Sequence, residues 1–205
     1  MPAIARAFSS LGSDGRTAPD QVLAGTGAPS DAQLLALAAE SQHQAFDALY
    51  TAYKSRIYSF LLRLLADPAL ADDVTQDAFT KAFTALPTLE RGTKVLPWLY
   101  RVASNAGIDH LRRRRRFRWL RVEVVENTVD EPHEPDTSGG LGEREHIQAI
   151  LRKLPPENAV ALLLHAVEGY SYREIADIQG CSLTAVRSRI ARARSAFKER
   201  YRPEA

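Results

Sequence analysis

Residues Gly169 to Arg194 read GYSYREIADIQGCSLTAVRSRIARAR, and this stretch decides the fold of the C-terminal part of the chain. Ser171 and Glu174 have the S-x-x-E spacing of a capping box, which predicts the start of a helix. Gly180 suits the left-handed backbone conformation that ends a helix, and Ser182 follows at the position of a new N-cap. The stretch therefore predicts two helices joined by a tight turn, a helix-turn-helix.

The second of these helices has an apolar side and a polar side. Its apolar residues recur at spacings of three and four and predict one stripe packed on the first helix: Leu183, Val186, Ile190, Ala193 and Phe197. The opposite face holds Thr184, Ser188, Ala191, Arg192 and Ser195. Small side chains let the backbone lie close to base edges, and Arg192 can reach a guanine or a phosphate. Arg187, Arg189 and Arg194 flank this face and suit phosphate contacts.

This pattern has two interpretations. An arginine-rich amphipathic helix on its own is more often a core helix with a solvated basic side. Here the capping box, the glycine turn, the second cap and the face of small residues occur together. That combination predicts a recognition helix for the DNA major groove.

Charge is placed unevenly along the 205 residues, although the formal net charge is only +2. Residues 111–121 contain seven arginines and no acid, residues 122–145 contain eight acids and one base, and residues 181–202 contain seven bases and one acid. Two basic blocks separated by an acidic block predict two nucleic-acid contacts with a different segment between them.

Helical periodicity and turn signals predict an all-α fold of two small helical domains joined by a flexible acidic linker. Residues 1–30 are rich in Ala, Gly, Ser and Pro, which predicts a disordered N-terminal extension. The first domain is predicted at 31–118, the linker at 119–142 and the helix-turn-helix domain at 143–202.

Two helices of the first domain carry candidate binding residues. On one helix, Asp73, Gln76 and Asp77 project to the side opposite Val74 and Ala78, as a docking stripe or a solvated face. The next helix, predicted from about Trp98 into the arginine run, combines aromatics, Asn105 and cationic residues. These groups suit a single nucleic-acid strand, because bases stack on aromatics and phosphates attract cations. Core packing remains an equal alternative for Trp98, and a solvated amide for Asn105.

Together these segments resemble a bacterial RNA polymerase sigma factor of the extracytoplasmic-function (ECF) type, in the sigma-70 family. Asp72-Asp-Val-Thr-Gln-Asp-Ala-Phe79 looks like the family's polymerase-clamp-binding helix, and Trp98 to Arg116 looks like its promoter-melting helix. Leu154-Pro-Pro, followed by Tyr170 to Arg194, looks like its domain for the minus-thirty-five element. The resemblance implies that the two domains are sigma regions 2 and 4.

The resemblance also implies roles for individual residues. For binding core polymerase through its β and β′ subunits they are Asp72, Asp73, Gln76 and Asp77. For the minus-ten element they are Lys94, Trp98, Asn105, Asp109, Arg112 and Arg113. For the minus-thirty-five element they are Arg173, Thr184, Arg187, Ser188 and Arg192. Family members often have Thr where Ala185 stands here, so that hydroxyl contact does not carry over.

A member of this family binds core polymerase, directs it to specific promoters and helps to melt the minus-ten element. The resemblance further implies an anti-sigma factor as a partner. It leaves two interpretations of the acidic linker, an RNA mimic inside polymerase or a plain connection. A different function remains open: a helix-turn-helix activator that binds duplex DNA without sigma activity.

The sequence lacks the motifs that would indicate other classes of function. The five histidines show no metal-ligand spacing, Cys181 is the single cysteine, and no glycine-rich phosphate loop occurs. We therefore expect no enzyme activity, no cofactor and no metal. No apolar run has membrane-spanning length and the N-terminus lacks the apolar core of a signal peptide, which favours a cytoplasmic protein without membrane insertion.

Overall fold

The computed structural model describes residues 29–122 and 140–201. Side chains are described at all of these residues except residue 115 and the ranges 117–122 and 140–144. Most of the predicted N-terminal extension and most of the predicted linker lie outside the described residues. The helices are α1 (Asp31–Glu40), α2 (Gln42–Leu65), α3 (Pro68–Ala85), α4 (Val95–Val122), α5 (Gly140–Lys153), α6 (Pro156–Ala166), α7 (Tyr172–Gln179) and α8 (Leu183–Arg200), with a 3₁₀ turn at Leu86–Thr88. No strand occurs in the described ranges, and the all-α prediction is confirmed.

The helix starts follow from local capping signals. The Ser30 side chain accepts from the Gln33 amide and forms a capping box at α1. Asp67 caps α3 through the Leu70 amide, with Pro68 in the first turn. The predicted capping box at Ser171 is present at α7, and Ser182 caps α8. Each of these bonds satisfies a backbone N–H that the helix itself leaves without an acceptor.

Helix α4 begins slightly earlier than predicted and runs through the arginine run as predicted. It begins at Val95, three residues before Trp98, and continues to Val122, past the predicted domain boundary at 118. Its start is stabilised by a distant residue, because the Asp31 carboxylate accepts from the Val95 amide at 3.1 Å. A cap supplied from α1 has no signature in the sequence next to the helix.

In the first domain, α2 is the central helix and contacts α1, α3 and α4. Its buried side includes Leu49, Ile57 and Leu61. Gly107 on α4 permits a close approach to α2, since a Cβ at this position would lie 2.9 Å from Leu64 Cδ2. A larger residue would therefore require the Leu64 and Leu61 side chains to shift.

In the second domain, α8 packs against α6 and α7. Four members of its predicted apolar stripe are buried: Val186, Ile190, Ala193 and Phe197. The prediction was wrong for Leu183, which is 39% exposed. Leu183 is the first residue of α8 and directly follows the N-cap Ser182.

The two domains pack directly on each other. Helix α4 contacts α6 and α7, and α2 contacts α5 and α6. Most buried side chains of both domains form one continuous apolar cluster, extending from Leu34 in α1 to Phe197 in α8, and Ala38, Ala45 and Leu86 form a smaller one. The structure therefore combines the two predicted helical bodies into a single closed arrangement.

Candidate nucleic-acid interface

The polar face of α8 is exposed as predicted. Its members, Thr184, Ser188, Ala191, Arg192 and Ser195, all lie on the solvent side of the helix. Arg187 and Arg173 are also exposed. Gly180, with φ of 60°, makes the turn that leads into this helix. The small residues and arginines of this face are therefore accessible from solvent, as the groove-facing side of a recognition helix must be.

Arg189 departs from the sequence prediction. It was expected to flank the outer face, but it is half-buried. Its Nη1 donates to Gln179 Oε1 at 2.8 Å and to Cys181 Sγ at 3.2 Å. These bonds link α8 to the end of α7 and to the turn, so the half-buried Arg189 stabilises the helix-turn-helix.

On α4, the predicted strand-binding residues divide into two groups. Asn105, Asp109 and Arg112 follow spacings of four and three and share one side of the helix. They are exposed, as are Arg113 and, in the loop before the helix, Lys94. Trp98 is half-buried and packs on the apolar core. Its core packing is thus observed, while part of its ring surface stays accessible.

A cleft of about 290 Å³ lies between α4 and the second domain. Its wall on α4 includes Ser104, Asn105, Ile108, Asp109 and Arg112, and the facing wall includes Glu157, Gln179 and Arg189. Arg112 Nη2 donates to Glu157 Oε1 at 2.5 Å across this cleft. The Ser104 hydroxyl is buried there without a hydrogen-bond partner. The predicted strand-binding side of α4 therefore faces the second domain in this arrangement.

The acidic side of α3 is exposed. Asp73, Gln76 and Asp77 lie on the solvent side, while Val74 and Ala78 on the other side are buried in the core. Asp72 is half-buried and accepts from Gln76 Nε2 at 2.8 Å. Asp73, Gln76 and Asp77 thus share the exposed side of α3, and the half-buried Asp72 borders it.

Sequence reasoning missed a polar cluster at the domain interface, defined by Glu168, Tyr100, Arg56 and Arg63. Glu168, after α6, is only 7% exposed. Tyr100 Oη donates to Glu168 Oε2 at 2.5 Å, and Arg56 Nε donates to the same oxygen at 3.1 Å and to Tyr100 Oη at 3.0 Å. Arg63 Nη1 lies 3.7 Å from Glu168 Oε1. We call these four residues the Glu168 cluster.

The surroundings of this cluster set its protonation. Burial raises the pKa of Tyr100 well above its usual range, and the neighbouring Glu168 raises it further. Burial opposes the charge of Arg56, but attraction to Tyr100 and Glu168 outweighs it and raises the pKa of the guanidinium. Tyr100 is therefore a neutral donor and Arg56 a cation at neutral pH.

One sequence signal could have revealed this interface. Arg56, Phe60 and Arg63 share one side of α2 at spacings of four and three, so two cations flank a buried aromatic residue. Arginines beside a core position indicate a partner carboxylate. The partner itself, Glu168, lies 112 residues from Arg56 in the chain and follows no periodic pattern.

Within the two described ranges, no group of three or more His, Cys, Asp or Glu residues could hold a metal ion. In the same part of the chain, no helix combines the length and apolar character needed to cross a membrane.

Comparison with known proteins gives matches over both domains. Residues 49–117 match Sigma-70 region 2, and residues 144–197 match Sigma-70, region 4. The RNA polymerase sigma-H factor of Pseudomonas aeruginosa is 32% identical over 186 residues, which cover 84% of this chain and 94% of that protein. The sigma factor CarQ of Myxococcus xanthus is 31% identical, covering 78% of this chain and 91% of that protein.

Solved structures agree with these matches. The sigma factor RpoE, solved with the anti-sigma factor NepR from Bartonella quintana, has a TM-score of 0.59 and 25% identity, covering 76% of this chain and 96% of that chain. CnrH, solved with the cytosolic domain of CnrY, has a TM-score of 0.61 and 26% identity, covering 83% and 96%.

The fold and its exposed helix faces define a two-domain helical transcription protein with a helix-turn-helix. The ECF RNA polymerase sigma factor SigC of Mycobacterium tuberculosis is also 30% identical, covering 82% of this chain and 89% of that protein. The chain therefore belongs to the ECF type of RNA polymerase sigma factors in the sigma-70 family. Members of this family are transcription initiation factors.

Proposed function

We propose that this chain binds core RNA polymerase, directs it to a specific set of promoters and helps to open the minus-ten element. One observation carries the proposal. A single chain with matches to both sigma regions exposes an acidic stripe on α3, an amide-and-arginine side on α4 and a recognition face on α8. Each surface suits one of the three contacts that promoter-specific initiation needs.

Polymerase docking is assigned to α3. Asp72, Asp73, Gln76 and Asp77 meet the clamp of the β and β′ subunits, where carboxylates pair with cations of the partner. Their rigid placement on a helix packed on the core makes the docking geometry reproducible. Charge complementarity of this kind mainly sets association rate and specificity.

Opening of the promoter is assigned to α4 and the loop before it. Lys94, Arg112 and Arg113 attract the phosphates of the displaced strand, and Trp98 offers part of its ring for stacking. Asn105 and Asp109 are placed to hydrogen bond the edge of a base taken out of the stack. Unstacking a base costs a few kcal/mol, so these contacts must offset about that amount.

Duplex binding at the minus-thirty-five element is assigned to the helix-turn-helix. Thr184, Ser188 and Arg192 face the bases in the major groove, while Arg173 and Arg187 contact phosphates on either side. Phosphate contacts position the helix, and the face of small residues reads the sequence.

We assign the chain no catalysis of its own, because polymerase supplies the chemistry. We expect it to act in the cytoplasm, where core polymerase and promoter DNA meet. By analogy with RpoE, which was solved with its anti-sigma factor NepR, an anti-sigma factor is a further partner.

The test is run-off transcription with purified core polymerase and this chain on fragments of its own genome, followed by mapping of start sites. We expect starts that share an upstream and a minus-ten sequence and that vanish without the chain. Specific duplex binding without polymerase, combined with no chain-dependent start on any fragment, would instead identify a helix-turn-helix activator.

A further inference from the structure

We propose that Leu183 reads a thymine of the upstream element by packing its side chain against the 5-methyl group of that base. This role rests on the proposed function, because α8 must lie in the major groove for Leu183 to reach a base. Leu183 adds an apolar contact to a recognition face that otherwise offers mainly hydroxyl and guanidinium groups.

The exposure of Leu183 is unusual for its place in the sequence pattern. Leu183 is 39% exposed, and no other large apolar side chain in the described part of the chain is exposed. A single exposed leucine on a protein surface is ordinary and needs no ligand to explain it. Here, however, every other member of the apolar stripe to which Leu183 belongs is buried in the helix-turn-helix core. Leu183 is the one member of that stripe left for a contact outside the domain.

The position of Leu183 is the start of the recognition helix. In a helix-turn-helix, the N-terminal residues of the second helix contact base edges. Leu183 is the first residue of α8, directly after the N-cap Ser182, and Thr184 beside it is exposed as well. The exposed Arg187 lies one turn later on the same side as Leu183. Leu183 therefore borders both a residue assigned to bases and a residue assigned to phosphates.

The chemistry of a leucine side chain selects one base. Leucine has no polar side-chain atom, so it makes no hydrogen bond to a base edge or to a phosphate. The apolar group that base edges present in the major groove is the 5-methyl of thymine. Contact with Leu183 removes this methyl from water, and burying one such group changes affinity about fourfold. The side chain therefore favours thymine at one position of the site.

Leu183→Ala removes the apolar contact and leaves the start of the helix intact. The cap of α8 is the Ser182 hydroxyl, which accepts from the Ala185 amide at 3.2 Å and does not involve the Leu183 side chain. Alanine is also the best helix former. The variant should therefore keep the helical circular dichroism of the unchanged chain at the temperature of the assay.

The test replaces each thymine of the mapped upstream element, one at a time, by deoxyuridine. This change removes the 5-methyl group and keeps the hydrogen-bonding groups of the base. Binding of the reconstituted holoenzyme to each template is measured by titration in a gel-shift assay. We expect the unchanged chain to bind about fourfold more weakly when one particular thymine is replaced. Leu183→Ala should show no loss at that position.

Thr184→Ser is the matched control. Thr184 carries a methyl group that could contact the same base, and serine removes this methyl while keeping the hydroxyl. Thr184→Ser should retain the effect of the thymine methyl that Leu183→Ala loses. An effect lost in Thr184→Ser and kept in Leu183→Ala would overturn the role of Leu183, as would the absence of any thymine whose methyl affects binding.

A protein contact is the alternative role for an exposed leucine. Capture of core polymerase in a pull-down should be the same for Leu183→Ala and the unchanged chain. Weaker capture by Leu183→Ala, together with an unchanged effect of the thymine methyl, would assign the side chain to a protein surface and overturn the base contact.

The role of Leu183 and the proposed function fail in different ways. Promoter-specific starts on templates whose thymine methyls have no effect would retain the proposed function and remove the role of Leu183. If no fragment gives a chain-dependent start, the deoxyuridine series is applied to the duplex that the chain binds without polymerase. A thymine methyl that then matters to the unchanged chain and not to Leu183→Ala would keep the role of Leu183 and remove sigma activity. A chain that selects no duplex by either route would overturn both.

Discussion

Replacing Arg192 by Ala tests most directly whether α8 reads DNA. Arg192 lies on the exposed side of the helix, opposite the buried Val186 and Ile190. Truncating an exposed side chain away from caps and core usually changes folding stability by less than about 0.5 kcal/mol. The variant should therefore fold normally, and any loss of promoter use can be assigned to a lost contact.

The size and form of the loss depend on what Arg192 contacts. A bidentate bond to guanine accounts for about 1–3 kcal/mol of discrimination, which corresponds to about 5- to 150-fold in affinity for the matching promoter. A phosphate contact would weaken all promoters similarly and lower the salt-dependence slope by about 0.9. Arg187→Ala, on the flank of the face, is expected to show the second pattern.

The assay is open-complex formation by the reconstituted holoenzyme at several salt concentrations, on a mapped promoter and on the same promoter with its upstream element scrambled. Lys153→Ala, an exposed cation of the same domain, is the matched control. We expect Arg192→Ala to lose activity on the intact promoter only. Equal loss on both templates would refute base readout by Arg192 and leave a phosphate contact. Weaker binding to core polymerase in a pull-down would refute the assignment of α8 to the upstream element.

Asp73→Arg combined with Asp77→Arg should abolish capture of core polymerase while duplex binding persists, because like charges then face the clamp. The control is Glu145→Arg, and capture of polymerase equal to that of the control would remove α3 from the docking surface. Asn105→Ala should impair promoter opening more than closed-complex binding, measured by permanganate footprinting, and equal opening would contradict the base pocket. Phe197→Ala should lower the free energy of unfolding by about 3–5 kcal/mol, because it leaves a cavity in the helix-turn-helix core; a thermal or denaturant melt within about 1 kcal/mol of the wild type would contradict this packing.

The contact between Arg112 and Glu157 should make the packing of the two domains depend on pH. Partial burial raises the pKa of Glu157. A hydrogen bond from the backbone and the contact with Arg112 outweigh this effect and lower the pKa below its usual 4.5. A carboxyl group with a depressed folded pKa contributes stability above the unfolded value and loses it as the pH falls through the folded value. The distance between the two domains, measured between labels on exposed residues of each, should therefore increase below about pH 4.5, and the Glu157→Gln variant should show a weaker dependence.

The capping residues show which structural features local sequence signals can predict. Ser171, Glu174, Gly180 and Ser182 predicted the helix-turn-helix, because each acts on backbone groups within a few residues of itself. The exposed face of α8 followed from helical periodicity alone. The same reasoning failed for Arg189, whose bonds to Gln179 and Cys181 depend on how the turn folds back on α8.

Candidate sites on α3 and α4 were predictable as helix faces, but their surroundings were not. Spacing placed Asn105, Asp109 and Arg112 on one side of α4, and nothing in the sequence indicated that this side meets the second domain. The start of α4 at Val95 was missed for a similar reason, since its cap comes from Asp31 on another helix.

By itself, the sequence of this protein determined its helices, their exposed faces and its family, because those properties depend on neighbouring residues and on ordered motifs. Only the tertiary structure decided that Glu168 meets Arg56 and Tyr100, and that α4 faces the second domain across a cleft. The physical reason is that a buried ion cluster is assembled from residues with no shared periodicity, and its geometry exists only once the separate helices have packed.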